Sequence, residues 1–186
     1  MNRLFHIIRS TDVQPQPWKN GMGVTREVAR FPTDAGSDDF LWRISVAEVN
    51  SAAPFSTFPG IDRQIVLLDG DGFTMTLDGN QQHALTTPLE PFAFSGEAAV
   101  DVAMAGGATR DFNLMVRRSY GTGAVRVCRE RGSHEPDPRC VLVYVARGSV
   151  TTIDGPLQAG DAWLPDRSPF ELAEDTVVLM ALVQPG

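Results

Sequence analysis

Gln64-Ile65-Val66-Leu67-Leu68-Asp69-Gly70, followed shortly by Met75-Thr76-Leu77-Asp78-Gly79, is echoed further along the chain by Leu142-Val143-Tyr144-Val145-Ala146-Arg147-Gly148 and Val150-Thr151-Thr152-Ile153-Asp154-Gly155. In each copy an apolar run stops at a glycine, and a second run ends in Asp-Gly, the residues that tight hairpin turns select. A proline and a phenylalanine follow both copies, as Pro91-Phe92 and Pro169-Phe170. Two copies of one β-roll unit, fused head to tail, account for this repeat. Coincidence of common hairpin chemistry accounts for it as well.

Outward from the repeat, strand signals recur and an apolar period of 3.6 residues is hard to find. In Leu41 to Val49, Trp42, Ile44 and Val46 alternate with Arg43, Ser45 and Ala47. A strand between two layers has two buried faces, so this apolar set need not all point into one core. Phe73 to Leu77 and Phe112 to Arg117 are rich in branched or bulky residues, and Gly70, Gly72, Pro88, Pro91 and Gly96 punctuate them. The expectation is an all-β sandwich or barrel of many short strands. Residues 119–140 carry glycine, proline and arginine and read as a connection with a short strand at 124–129. This divides the chain into 1–118 and a smaller half, 119–186, with strand exchange between the halves.

At 186 residues the chain can bury a sizeable core. A net charge of -7 and a sequence pI of about 4.9 argue against binding nucleic acid through phosphate neutralisation. The first nine residues are interrupted by charge too often for a signal-peptide core, and no apolar run is long enough for a membrane-spanning helix. A cytoplasmic location is the default expectation. Cys128 and Cys140 read as reduced thiols, without CxxC spacing or a nearby histidine to activate them.

Pro17-Trp18-Lys19-Asn20-Gly21-Met22-Gly23-Val24-Thr25-Arg26-Glu27 gathers an indole, two cations, an amide, a hydroxyl and a carboxylate in a glycine-broken loop that enters a strand. Taken alone it is equally a polar surface turn and one wall of a binding site. Three further blocks follow in order: Phe40 to Val49, Pro54 to Arg63, and Arg110 to Arg118. Together the four resemble the HutD/Ves family of bacterial proteins across most of the first 118 residues. The second half resembles it in its hairpin and in the turn Leu157-Gln158-Ala159-Gly160-Asp161-Ala162, a pattern shared by many cupins. Met22 departs from the family, which usually has glycine there.

The resemblance implies a cupin-like double-stranded β-helix duplicated within one chain, a bicupin. It also implies a link to histidine utilisation, moderated by binding an intermediate such as N-formylglutamate or urocanate. Enzymatic activity is not established for the family.

The chemistry of the residues points the same way. His6, His83 and His134 are the only histidines and none is near another in sequence, so no metal triad and no cofactor are expected. Arg26, Arg43 and Arg63 offer planar forks suited to a carboxylate. Arg43, in an otherwise apolar strand, must reach a ligand, an internal partner such as Glu27 or Glu48, or solvent; Arg63, just after a turn, is equally readable as exposed. Trp18, Trp42, Phe55 and Phe58 can form an apolar wall, with core packing the alternative for Trp42 and Phe55. Asn113 and Arg117 share one strand face with Met115, while Asp111 reads as an anchor for Arg110 or a turn.

The ligand-contacting set expected is therefore Trp18, Lys19, Asn20, Thr25, Arg26, Glu27, Arg43, Ser45, Glu48, Phe55, Phe58, Arg63, Asn113 and Arg117. No catalytic residue is assigned. The partner expected is a small-molecule carboxylate, with no nucleic acid and no membrane, and a homodimer is left open. The alternative is a metal-free cupin enzyme, an isomerase, lyase or hydrolase, using Glu27 or Glu48; a protein-interaction module is a third reading.

Overall fold

The computed structural model describes residues 7–36 and 38–186. His6, whose apolar neighbours in the sequence suggest packing in a first strand, lies outside them. The described chain begins with the two-residue strand β1 (Ile7–Ile8) and a single 3-10 turn, Ser10–Asp12; everything else regular is strand. β2 (Pro15–Pro17), β3 (Gly23–Phe31), β4 (Trp42–Val49), β5 (Ile61–Asp69), β6 (Phe73–Leu77), β7 (Gln81–Leu85), β8 (Pro91–Ser95), β9 (Val100–Met104) and β10 (Thr109–Arg117) follow. β11 (Gly121–Cys128), β12 (Gly132–His134), β13 (Cys140–Arg147), β14 (Ser149–Thr152), β15 (Gly155–Gln158), β16 (Ala162–Trp163), β17 (Phe170–Leu172) and β18 (Val177–Pro185) complete the chain.

Two compact units result among the described residues, 14–123 with 185–186, and 124–184 with 7–13. This corrects the division at 118/119. β1 pairs antiparallel with β16, through Ile7 with Trp163, so the start of the chain joins the second unit rather than the first. Asp161 fixes it there: Arg9 donates to its carboxylate at 2.7 Å, and the Ser10 amide at 3.0 Å. The segment 119–140, read as a connection, contributes two strands, β11 and β12, to the second unit's sheets.

Each unit packs two sheets around one apolar core. In the first, β2-β3-β4-β10-β5-β8 faces β7-β6-β9 across Ile65, Leu67, Phe73, Met75, Leu85 and Val102. In the second, β1-β16-β13-β18-β11 faces β12-β17-β14-β15 across Val143, Val145, Val150, Leu157, Trp163 and Phe170. The order β4-β10-β5-β8 maps onto β11-β18-β13-β16, and β7-β6-β9 onto β15-β14-β17, with chain order preserved. The fold is all-β, cupin-like and duplicated.

The duplication extends to single residues. Gly70 and Gly148 end β5 and β13 with φ of 91° and 78°, the left-handed region that glycine enters without steric cost. A Cβ at either would lie 2.4 Å from the start of the returning strand, at the Ala108 carbonyl oxygen or the Thr176 hydroxyl. The hydroxyls of Thr109 and Thr176, both 1% exposed, accept the Gly72 and Ser149 amides at 3.0 and 3.1 Å. Even the register shift recurs: Arg110 pairs with Asp69 and Asp111 with Leu67, as Val177 pairs with Arg147 and Val178 with Val145.

Candidate functional site

Within the first unit, β4, β10 and β5 lie side by side, with Asn113 opposite both Ser45 and Ile65, and Met115 opposite both Arg43 and Arg63. Alternation puts Arg43, Ser45 and Ala47 on the same face as Asp111, Asn113 and Met115. The other face, with Trp42, Ile44, Val46, Phe112 and Leu114, is buried as well, so β4 and β10 have two buried faces. The polar face opens into a cavity of about 520 Å³. Its rim comes from Gln16 to Asn20 and from the loop that carries Pro54, Phe55, Ser56 and Phe58.

Gly23 determines how closely the rim loop lies on the sheet. A Cβ there would fall 2.6 Å from the Glu48 carbonyl oxygen and 2.9 Å from the Trp18 ring. The Trp18 indole N–H donates to the Thr25 hydroxyl at 2.8 Å, which fixes the ring against β3. Asn20 accepts the Met22 amide at 2.9 Å, closing the turn beside it.

Arg63 is the centre of the site. It is 7% exposed, contrary to a surface position after a turn, because β5 carries it inward between Met115 on β10 and Phe94 on β8. Its guanidinium carbon lies 4.8 Å from the Phe94 ring centroid, 5.4 Å from that of Phe55 and 5.5 Å from that of Phe58, an arrangement in which the ring faces attract the cation. One Nη donates to the Asn113 side-chain oxygen at 3.0 Å, and Nε is buried without a partner. The Asn113 amide in turn donates to Asp111, whose other oxygen, Oδ2, is likewise buried and unpartnered.

Burial dominates the electrostatics here. Loss of hydration pushes the Arg63 guanidinium down to about 10, with Asp111 opposing and Arg43 assisting. Burial pushes the Asp111 carboxyl up to about 7, against the Asn113 hydrogen bond and the Arg63 charge. Arg43 is balanced differently: it lines the cavity while its Nε donates to Glu27 at 2.7 Å, and Glu27 also pairs with Arg30 at 3.2 Å. The pocket thus has Arg43, which shares Glu27 with Arg30, Arg63, which touches its carboxylate only through an amide, and Lys19 on the rim.

Of the residues expected, Trp18, Lys19, Asn20, Thr25, Arg43, Ser45, Phe55, Phe58, Arg63 and Asn113 line this cavity. Arg26, Glu27, Glu48 and Arg117 do not. Arg26 pairs with Glu48 away from it, Glu27 stands behind Arg43, and Arg117 donates to the Phe40 and Asp38 carbonyls, holding the chain before β4. Asp111, expected to anchor Arg110 or a turn, lies 1% exposed in the cavity wall. Its position two residues before Asn113 on one strand was the signal available. Gln16, Pro54, Ser56 and Met115 also line the cavity and carried no distinctive signal.

The repeat supplies a control. By the matched threonines and strand pairing, Asp111, Asn113 and Met115 correspond to Val178, Met180 and Leu182 in the second unit. Met115 pairs with Arg63 where Leu182 pairs with Cys140. The same architectural positions therefore hold Arg63, Asp111 and Asn113 in one unit and Cys140, Val178 and Met180 in the other. The latter set packs into the second unit's core, where burial raises the Cys140 thiol to about 12, so it behaves as a small hydrophobe. The same scaffold accommodates an apolar set at these positions in the second unit.

The histidines serve elsewhere. His83 stacks on Phe92 at 3.6 Å between ring centroids. His134 lies 3.5 Å from the Cys128 sulfur, a neighbour not visible in the sequence, and its Nε2 is 2.6 Å from the Glu130 carbonyl. Burial raises the Cys128 pKa, which keeps it a thiol. Among the described residues no three His, Cys, Asp or Glu converge as metal ligands, and no helix is long and apolar enough to cross a membrane.

Comparison with known proteins agrees with the blocks of the first unit. A family model described as HutD matches residues 10–180. A 21.2 kDa protein in the hutC 3′ region of Pseudomonas putida is 44% identical over 111 residues, 60% of this chain; the match spans 57% of that protein's length. Protein Ves of Cronobacter sakazakii is 38% identical over 74% of this chain and 76% of its own. The structure of HutD from Pseudomonas fluorescens superposes with a TM-score of 0.81 at 28% identity, covering 96% of this chain and 98% of that one. The chain belongs to the HutD family.

Proposed function

We propose that the first unit binds a small carboxylate at Arg63 and that the protein acts in the cytoplasm as a moderator of histidine utilisation, with N-formylglutamate or urocanate as the intermediate sensed. The observation that carries this reading is the buried Arg63 guanidinium in a 520 Å³ cavity, held by Asn113, framed by three rings and left with Nε unpaired. A desolvated cation with spare donors is costly unless an anion completes it. The Pseudomonas putida relative, named for its place beside hutC, supports the metabolic assignment.

Thermal denaturation against a panel of histidine-pathway acids tests it. A ligand at about a hundred times its dissociation constant adds about 2.7 kcal/mol. The expected result is a rise in Tm with one acid that is absent in Arg63→Met; no rise with any acid contradicts the reading. Turnover is the second reading, favoured by Asp111, because a carboxyl near pKa 7 suits proton transfer better than the arginine-paired Glu27 or Glu48. Product formation abolished by Asp111→Asn would establish it.

A further inference from the structure

We propose that Asp111 is a specificity-determining residue of the pocket: it selects carboxylates that carry their own hydrogen-bond donor, an N–H or O–H beside the acid group, over plain carboxylates. This rests on the reading of Arg63 as the carboxylate anchor and names the ligand class more narrowly.

Among the described residues, the buried side-chain atoms without a hydrogen-bond partner are Arg63 Nε, a donor, and Asp111 Oδ2, an acceptor when ionised. Both residues line one cavity, and Asn113 bridges them, fixing their separation. A plain carboxylate answers the first atom only. It also brings a second negative charge beside Asp111, and the wall has little to offset it: Arg43 is engaged by Glu27, and Lys19 stands on the exposed rim. A ligand with an adjacent donor satisfies both atoms and turns repulsion into a charge-assisted hydrogen bond. The second unit, with Val178 and Met180 at the equivalent places, shows that an acid there is not a requirement of packing.

The test uses probes paired by presence or absence of the donor: 2-hydroxyglutarate against glutarate, and N-acetylglycine against acetoxyacetate, in which an ester oxygen replaces the N–H. Each is titrated at pH 8, where Asp111 is mostly ionised, and at pH 6, where it is mostly protonated. Binding of the donor-bearing member at least about tenfold tighter at pH 8 in one pair, with a smaller ratio at pH 6, is expected from a hydrogen bond to a charged group. In Asp111→Asn the amide places a donor where Oδ2 was, so the ratio falls to within about twofold or reverses. Equal affinity within both pairs at pH 8 overturns this inference and leaves the carboxylate reading intact. No binding of any probe overturns both. Should the variant fail to fold, the wild-type ratios at the two pH values still decide.

Discussion

Arg63, Asn113 and Asp111 form a chain in which an amide separates two buried charges, and the consequences are measurable one residue at a time. The Asp111 carboxyl has its pKa raised from 3.8 to about 7, so the folded protein keeps a proton that the unfolded chain releases. Stability from this group is therefore full below about pH 4 and declines as pH rises to about 7. Asp111→Asn removes that titration. The Tm of the variant relative to wild type should climb between pH 5 and pH 8; a flat difference across that window contradicts the placement of Asp111. At the rim, Gly23→Ala forces a Cβ against the Glu48 carbonyl and the Trp18 ring. The expected cost is about 1–3 kcal/mol, with altered Trp18 fluorescence. An unchanged spectrum and Tm would mean that the loop is not packed as described.

At the level of elements, the returning strand β10 begins with a threonine and β18 is immediately preceded by one, and each accepts an amide from the opposite turn. Valine has the same shape without the hydroxyl, so Thr109→Val leaves the Gly72 amide unanswered, at about 1–3 kcal/mol. Thr176→Val should cost at least as much, since that hydroxyl both accepts the Ser149 amide and donates to the Ser149 carbonyl at 3.0 Å. Equal, negligible losses in denaturant titrations would remove these threonines from the account. The hairpins around these strands were readable from sequence because Asp-Gly and the apolar runs are local signals: φ is positive at both Asp78 and Gly79, as a tight turn requires. β1 was not, because two residues carry no period, and their role depends on Trp163, far along the chain. The burial of Arg63 was left open for the same reason: what buries it is Phe94, Phe55 and Asn113, brought together by the fold.

Taken as a whole molecule, the chain offers one architecture twice, polar where the first unit holds its cavity and apolar at the matching places of the second. Buried charges are often no more stabilising than apolar residues of similar size. The triple variant Arg63→Cys, Asp111→Val, Asn113→Met, which installs the second unit's residues, should therefore fold with an unchanged or higher Tm and bind no carboxylate. Loss of folding would show that the trio is structural. Ten of the residues expected from the four sequence blocks line the cavity, and the four that were expected there and do not, Arg26, Glu27, Glu48 and Arg117, are charges whose partners decide their direction. The central claim is that Arg63 meets the carboxylate. Its Nε–H is sheltered from solvent, so its NMR resonance should be observable, and titrating the protein with the acid that raises Tm should shift that resonance to saturation at the same midpoint. Binding that leaves the Arg63 Nε–H unmoved would contradict the account.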